Sequence, residues 1–192
     1  MQRISLILLV VALIIGAIVS SSYAGEELST ARVETEHAVI NAYDEVEIPE
    51  SLTSSFDRVF EMVASYFNVA ADEKVVVQVV DFETLQEMYP GQKGYPGGSP
   101  NTVAALYAPS SNSFFFTPRY MKDYYVAHEL IHYFVDEYQV EVADNLPQVI
   151  TQRNTTNLPL DDFIREHEEE IATELSQIII RQSLASLALQ GV

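Results

Sequence analysis

The stretch that most constrains this chain is His128-Glu129-Leu130-Ile131-His132, two imidazoles four residues apart with a glutamate directly after the first. On an α-helix a step of four returns to the same face one turn on. The pattern therefore has chemical meaning only if these residues are helical. Two ring nitrogens so placed can share one zinc ion at bond lengths of about 2.0–2.1 Å. Glu129 then stands about 100° round the helix, close to the ion without ligating it. There it can take a proton from water whose acidity the ion raises. The flanking sequence predicts the required helix. Thr117-Pro118 reads as an N-cap and a first-turn proline, and no further Pro or Gly interrupts as far as Tyr138. Val126, Leu130 and Phe134 recur at four-residue spacing, joined by Ala127, Ile131 and Tyr138, giving an apolar flank beside the two histidines.

Composition limits how such a site can be built. The chain has 192 residues, enough for one domain with its own core. It contains no cysteine, which excludes disulfides and thiolate ligands. Any bound metal must therefore be held by His and carboxylates. With 28 Asp+Glu against 10 Lys+Arg the formal charge is −18, which argues against nucleic acid and anionic membrane surfaces as partners. Residues 4–19 are an uncharged, mostly apolar run behind Arg3, and Ser22-Tyr23-Ala24 supplies small residues at the −3 and −1 positions of a cleavage site. Residues 1–24 thus read as a signal peptide of an exported protein, periplasmic or secreted. The run is slightly long for that role, so the alternative is an uncleaved N-terminal anchor.

Residues 25–48 are polar with scattered Val, Ile and Tyr, and predict a loosely ordered entry segment to a domain spanning 49–192. From Glu50 to Asn68, Leu52, Phe56, Val59, Phe60, Val63 and Phe67 keep helical spacing, with Asn68 placed to cap the end. Lys74 to Val80 is a β-branched strand, after which Asp81 can cap a short helix reaching Tyr89. Pro90 to Pro100 carries four glycines and three prolines and reads as a loop, with Tyr95 a candidate cleft residue. Thr102–Ala108 and Ser113–Thr117 form a hairpin through the turn residues Pro109 to Asn112. The hairpin leads into the helix with the two histidines. Glu141 to Asn157 is irregular, and a last long helix runs from about Leu160 to Leu189. This order makes an α+β domain with a small sheet.

Catalytic zinc takes three protein ligands and leaves a fourth position open, so a third ligand must come from elsewhere. The metallopeptidase pattern that continues with Gly and a third ligand fails, because Val135 and Tyr138 occupy those positions. The run His167-Glu168-Glu169-Glu170-Ile171-Ala172-Thr173-Glu174 offers four glutamates. Glu169 shares a helical face with the small residues Ala172, Thr173 and Ser176, which would permit close approach to the first helix. Glu170 and Glu174 form a second candidate face beside His167. Periodicity sorts them only partly; a helix with a core side and a small-residue side reads as sandwiched between two neighbours, which places Glu169 first and Glu170 second.

His128-Glu129-Leu130-Ile131-His132 followed by Glu169-Glu170-Ile171-Ala172-Thr173 resembles the gluzincin superfamily of zinc metallopeptidases, in which several branches carry the third ligand in a later Glu-x-x-Ala pattern. The resemblance covers roughly residues 74–180. It implies a zincin-like domain with a small mixed sheet, an active-site helix, and a C-terminal helix carrying the third ligand. It also implies Zn²⁺ held by His128, His132 and Glu169, with Glu129 as the catalytic base in peptide-bond hydrolysis. Some branches place Asn or Asp where Thr173 stands here, so a role for that position in supporting a ligand does not carry over. Candidates for sharing the oxyanion charge are His167, Tyr124 and Tyr107. Asp136 is a candidate acceptor for a ligand histidine. The expected partner is a peptide or protein substrate, with no nucleic acid. A membrane would be met only through an uncleaved N-terminal segment. The alternative is a non-catalytic exported metal-binding or interaction module.

Overall fold

The computed structural model describes residues 29–43, 45–90, 105–118, 121–155 and 158–190. Their fold is mixed α+β, with a five-stranded mixed sheet in the order β1-β2-β3-β5-β4. The middle of the sheet is set by two apolar strands, β3 (Val75–Val79) and β5 (Ser113–Phe116), paired in parallel. A strand covered on both faces reads as a continuous apolar run, and every residue of β5 is buried. Phe114 and Phe116 join the large core, while Phe115 packs with Val80 and Leu85 on the other face.

The large core lies between the sheet and three helices: α1 (Glu50–Phe67), α3 (Asp123–Glu137) and α7 (Glu168–Gln190). Phe56, Phe60, Phe114, Tyr133 and Phe134 fill its centre. Asn68 ends α1 in the left-handed conformation at φ 55°, as the sequence predicts for a helix C-terminus. The short α2 (Phe82–Met88) covers part of the opposite face, and the Asp81 carboxylate accepts a 2.7 Å hydrogen bond from the Thr84 N–H, the predicted cap. The predicted hairpin is present as β4 (Ala105–Ala108) antiparallel to β5, with β4 at the edge of the sheet.

Several expectations need correction. The segment read as a loose entry contains two strands, β1 (Ser29–Glu34) and β2 (Ala38–Tyr43), paired antiparallel, with β2 parallel to β3. Ala38, Ile40 and Ala42 alternate inward and are fully buried. Alanines give little hydrophobic signal, and the partner β3 lies beyond α1 in the chain. The Asp57 carboxylate clamps the β1–β2 turn, accepting from the Thr35 hydroxyl at 2.6 Å and from the N–H groups of His37 and Glu36 at 2.9 Å.

The histidine helix starts at Asp123 rather than Pro118, and its N-cap is Lys122. Thr117 is buried beside the end of β5, so the chain must first leave the sheet before it can turn into the helix layer. Asp123 places an anion at the positive end of the helix, where it pairs with Arg58 at 2.6 Å. The stretch from Glu141 onward contains two single-turn helices, α4 (Val142–Asn145) and α5 (Gln148–Thr151).

The last helix is broken into α6 (Leu160–Glu166) and α7 at His167, with φ −122° and ψ 25°. The break lets Phe163 and Ile171, on either side of it, meet Ile150 in a separate apolar cluster. Among the described residues no helix is long and apolar enough to cross a membrane. The expected signal sequence and Tyr95 lie outside the described residues, as does the Gly/Pro-rich loop beyond Pro90.

Candidate metal centre

Helix α3 buries Val126, Ala127, Leu130 and Phe134 in the core, and presents His128 and His132 toward α7. Ala172 and Ser176 on α7 are both buried, at 2% and 0% exposure. Small side chains at that contact let the two helix axes approach closely. This is the small-residue face that the sequence placed with Glu169.

The approach brings three ligating groups to one point. His128 Nε2 and His132 Nε2 are 3.2 Å apart. Glu169 Oε2 lies 3.2 Å from His128 Nε2, and Glu169 Oε1 lies 3.5 Å from His132 Nε2. A tetrahedral ion with bonds of about 2.0–2.1 Å requires its ligand atoms to be roughly 3.3–3.4 Å apart. The two imidazole nitrogens come close to that spacing, the Glu169 carboxylate faces them with one oxygen toward each, and the group can hold a metal ion. His128 is 4% exposed, whereas the Glu169 side chain is 64% exposed, so the centre is anchored on the protein side and open toward solvent.

Both imidazoles are held by their other nitrogen. His132 Nδ1 lies 3.2 Å from Glu168 Oε1. An ionised carboxylate only accepts, so Nδ1 carries the proton and Nε2 is left with its lone pair. His128 Nδ1 lies 3.4 Å from the Thr173 hydroxyl, which accepts in the same sense when Nε2 serves as a ligand. Such partners fix both the tautomer and the ring orientation of a ligating histidine. Burial disfavours a charge on His132, but the hydrogen bond to Glu168 and the fields of Glu129, Glu169 and Glu168 outweigh it and raise its pKa. The hydrogen bond to His132 holds the Glu168 carboxyl below its ordinary range. The contact with His128 does the same for Glu169, against the effect of burial.

Glu129 is 7% exposed and is not one of the three grouped residues. Its Oε2 accepts a 2.7 Å hydrogen bond from the Tyr107 main-chain N–H on edge strand β4. Glu129 shares the walls of a cleft of about 490 Å³ with His132, Glu168, Glu169 and Tyr107. A fixed carboxylate beside a three-ligand centre, at the bottom of an open cleft, is an arrangement suited to moving a proton during attack by water.

The other expected residues divide sharply. Glu170, the second choice for a ligand, lies 2.9 Å from His167 Nδ1 instead. Glu174 pairs with Arg153. His167 packs at a tilt against Phe163 and lines a separate cavity with Glu170 and Glu174. Tyr124 packs against the Tyr125 ring at 4.1 Å between centroids.

Tyr107 does line the cleft, but its hydroxyl donates to Asp136 at 3.1 Å. Burial first, and then that bond, push its pKa upward. Asp136 is therefore engaged by Tyr107 rather than by a ligand histidine. Glu168, Thr173 and the Tyr107 N–H were not legible as parts of the site. For Glu168 and Thr173 the only sequence signal is their adjacency to the Glu-x-x-Ala pattern. Comparisons with protein-family models, with curated proteins and with solved structures found no match to this chain.

Proposed function

We propose that this protein is an exported zinc metallopeptidase with a zincin-like domain of the gluzincin type. The reading is carried by one observation, the meeting of His128 Nε2, His132 Nε2 and the Glu169 carboxylate at separations of 3.2–3.5 Å. Two imidazoles and one carboxylate suit zinc, whereas calcium and magnesium favour sets of oxygen ligands. A zinc ion bound there supplies Lewis acidity toward water and toward a peptide carbonyl. Glu129, with Oε2 held by the Tyr107 N–H, has a second carboxylate oxygen with which to take the proton of the attacking water. It then delivers that proton to the leaving amide nitrogen. Glu168 and Thr173, bonded at the Nδ1 atoms, turn Nε2 of both imidazoles toward the shared point, and the −18 charge of the chain favours neutral or basic peptides. The apolar run of residues 4–19 supports export.

The test begins with metal content, where about one zinc per chain should survive purification and be lost to a chelator. Cleavage of casein or a peptide library by the wild type should fall about 10²–10⁴-fold in Glu129→Gln, with zinc retained. Zinc present without hydrolysis in the wild type would instead identify a non-catalytic metal-binding module.

A further inference from the structure

The geometry points to a side-chain pocket beside the metal centre that takes a bulky aliphatic or aromatic residue of a peptide; this rests on the peptidase reading. A cavity of about 320 Å³ opens between α3, residues 140–143, α6 and the start of α7. Ile131, Ile171 and Ala172 form its buried wall, and Val135, Val142 and Ile164 its sides. The volume is at the small end for ligand sites, fitting a single side chain better than a nucleotide or a cofactor.

The cavity lies at a seam in the packing. Ile131 and Ala172 belong to the core under the sheet, whereas Ile171 belongs with Phe163 and Ile150 to the second apolar cluster, against which Val142 and Ile164 pack. Water in such a seam faces aliphatic walls, and an entering apolar side chain displaces it favourably. What identifies the occupant is continuity with the cleft. His132, Val135 and Glu168 wall both this pocket and the cleft that holds Glu129 and Glu169. A peptide lying at the metal centre therefore has the pocket next to its reacting carbonyl.

Charge narrows the choice further. Glu141, Asp161 and Glu168 stand at the rim, and among the described residues lining it Arg165 is paired with Asp162 at 2.5 Å. The rim repels acidic residues and accepts basic neighbours.

The experiment uses the zinc-loaded Glu129→Gln chain, which should bind peptides without turnover. The probes are capped tetrapeptides Lys-Ala-Xaa-Ala with Xaa = Ala, Leu, Phe or Glu. Binding is followed by calorimetry and by the methyl resonances of Val135, Val142 and Ile164. Leu and Phe peptides should bind at least about tenfold tighter than Ala, with Glu weakest and the methyl shifts confined to the pocket. Ala143→Phe, and separately Ile164→Trp, should reduce the Leu and Phe affinities to that of Ala with zinc content unchanged. Equal affinities across the series, or selectivity that survives both substitutions, would overturn the assignment. So would a dimer in sedimentation that Ala143→Phe dissociates, since the pocket would then be a contact between copies. If the wild type cuts none of these peptides while Glu129→Gln discriminates them, the peptidase reading fails and the pocket stands. Cleavage without discrimination between Leu and Ala leaves the peptidase reading and removes the pocket.

Discussion

Two clusters of histidine and glutamate in this molecule look alike by composition and differ in construction. One is His128, His132 and Glu169; the other is Glu36, His37 and Glu61, at the β1–β2 turn and on α1. In the first, the two Nε2 atoms are 3.2 Å apart, the Glu169 carboxylate faces them with one oxygen at 3.2 Å and the other at 3.5 Å, and each imidazole is turned by a bond at its far nitrogen. In the second, both carboxylates are exposed and His37 Nε2 is 3.9 Å from Glu61. The His37 ring is set by stacking on Phe60, with centroids 4.4 Å apart, an arrangement another aromatic ring would satisfy. Proximity of the right residue types is common at an acidic surface. Enforced convergence of lone pairs is what separates a metal centre from a patch.

The largest expected contrast between the clusters is in metal content. His132→Ala should reduce bound zinc from about one per chain to none, while His37→Ala should leave it unchanged, by elemental analysis after dialysis. Zinc lost from His37→Ala but kept by His132→Ala would reverse the assignment. A smaller effect sharpens the point about orientation. Glu168→Gln and Thr173→Val touch no ligand atom, yet each should weaken zinc binding about 10–100-fold in competition with a chelating dye. Unchanged affinity in both would mean that ring orientation is set by packing alone.

The effect that leaves the metal untouched belongs to the turn beside the second cluster. Burial raises the pKa of Asp57, but its bonds from Thr35, His37 and Glu36 outweigh that and leave it depressed. A depressed carboxyl contributes stability that is present above its unfolded pKa of about 3.9. That contribution is lost as pH falls through the folded value. Asp57→Asn should therefore cost about 1–3 kcal/mol near neutral pH and flatten the acid limb of the unfolding profile, with zinc content unchanged. An acid limb identical to that of the wild type would remove this role.

What the sequence made legible is what local chemistry decides. Leu52, Phe56, Phe60 and Val63 mark α1 by their spacing, and Asn68 and Asp81 mark ends by capping. Thr117-Pro118 carries the same kind of signal but yields to position, because burial at the end of β5 delays the helix to Asp123. Strands β1 and β2 escaped because Ala38 and Ala42 look neutral until β3 is beside them.

At the site, the two imidazoles are close because one helix carries both. Choosing among the four glutamates of residues 168–174 needs the angular setting of α7 on α3, which follows from a break at His167 that no Pro or Gly announces. That setting turns Glu169 to the histidines, Glu170 to His167 and Glu174 to Arg153. It also makes Thr173 a partner for His128 by its hydroxyl.

The hydrogen bond that aims Glu129 has its donor in the peptide backbone. No exchange of side chain at position 107, short of proline, can delete such a donor. The aim of the carboxylate is consequently blind to residue identity there and hostage to strand alignment. A one-residue slip of β4 along β5 would invert which groups face the cleft. Substitutions at Phe114 or Phe116, remote from any chemistry, are thus where this centre is most easily knocked out of true.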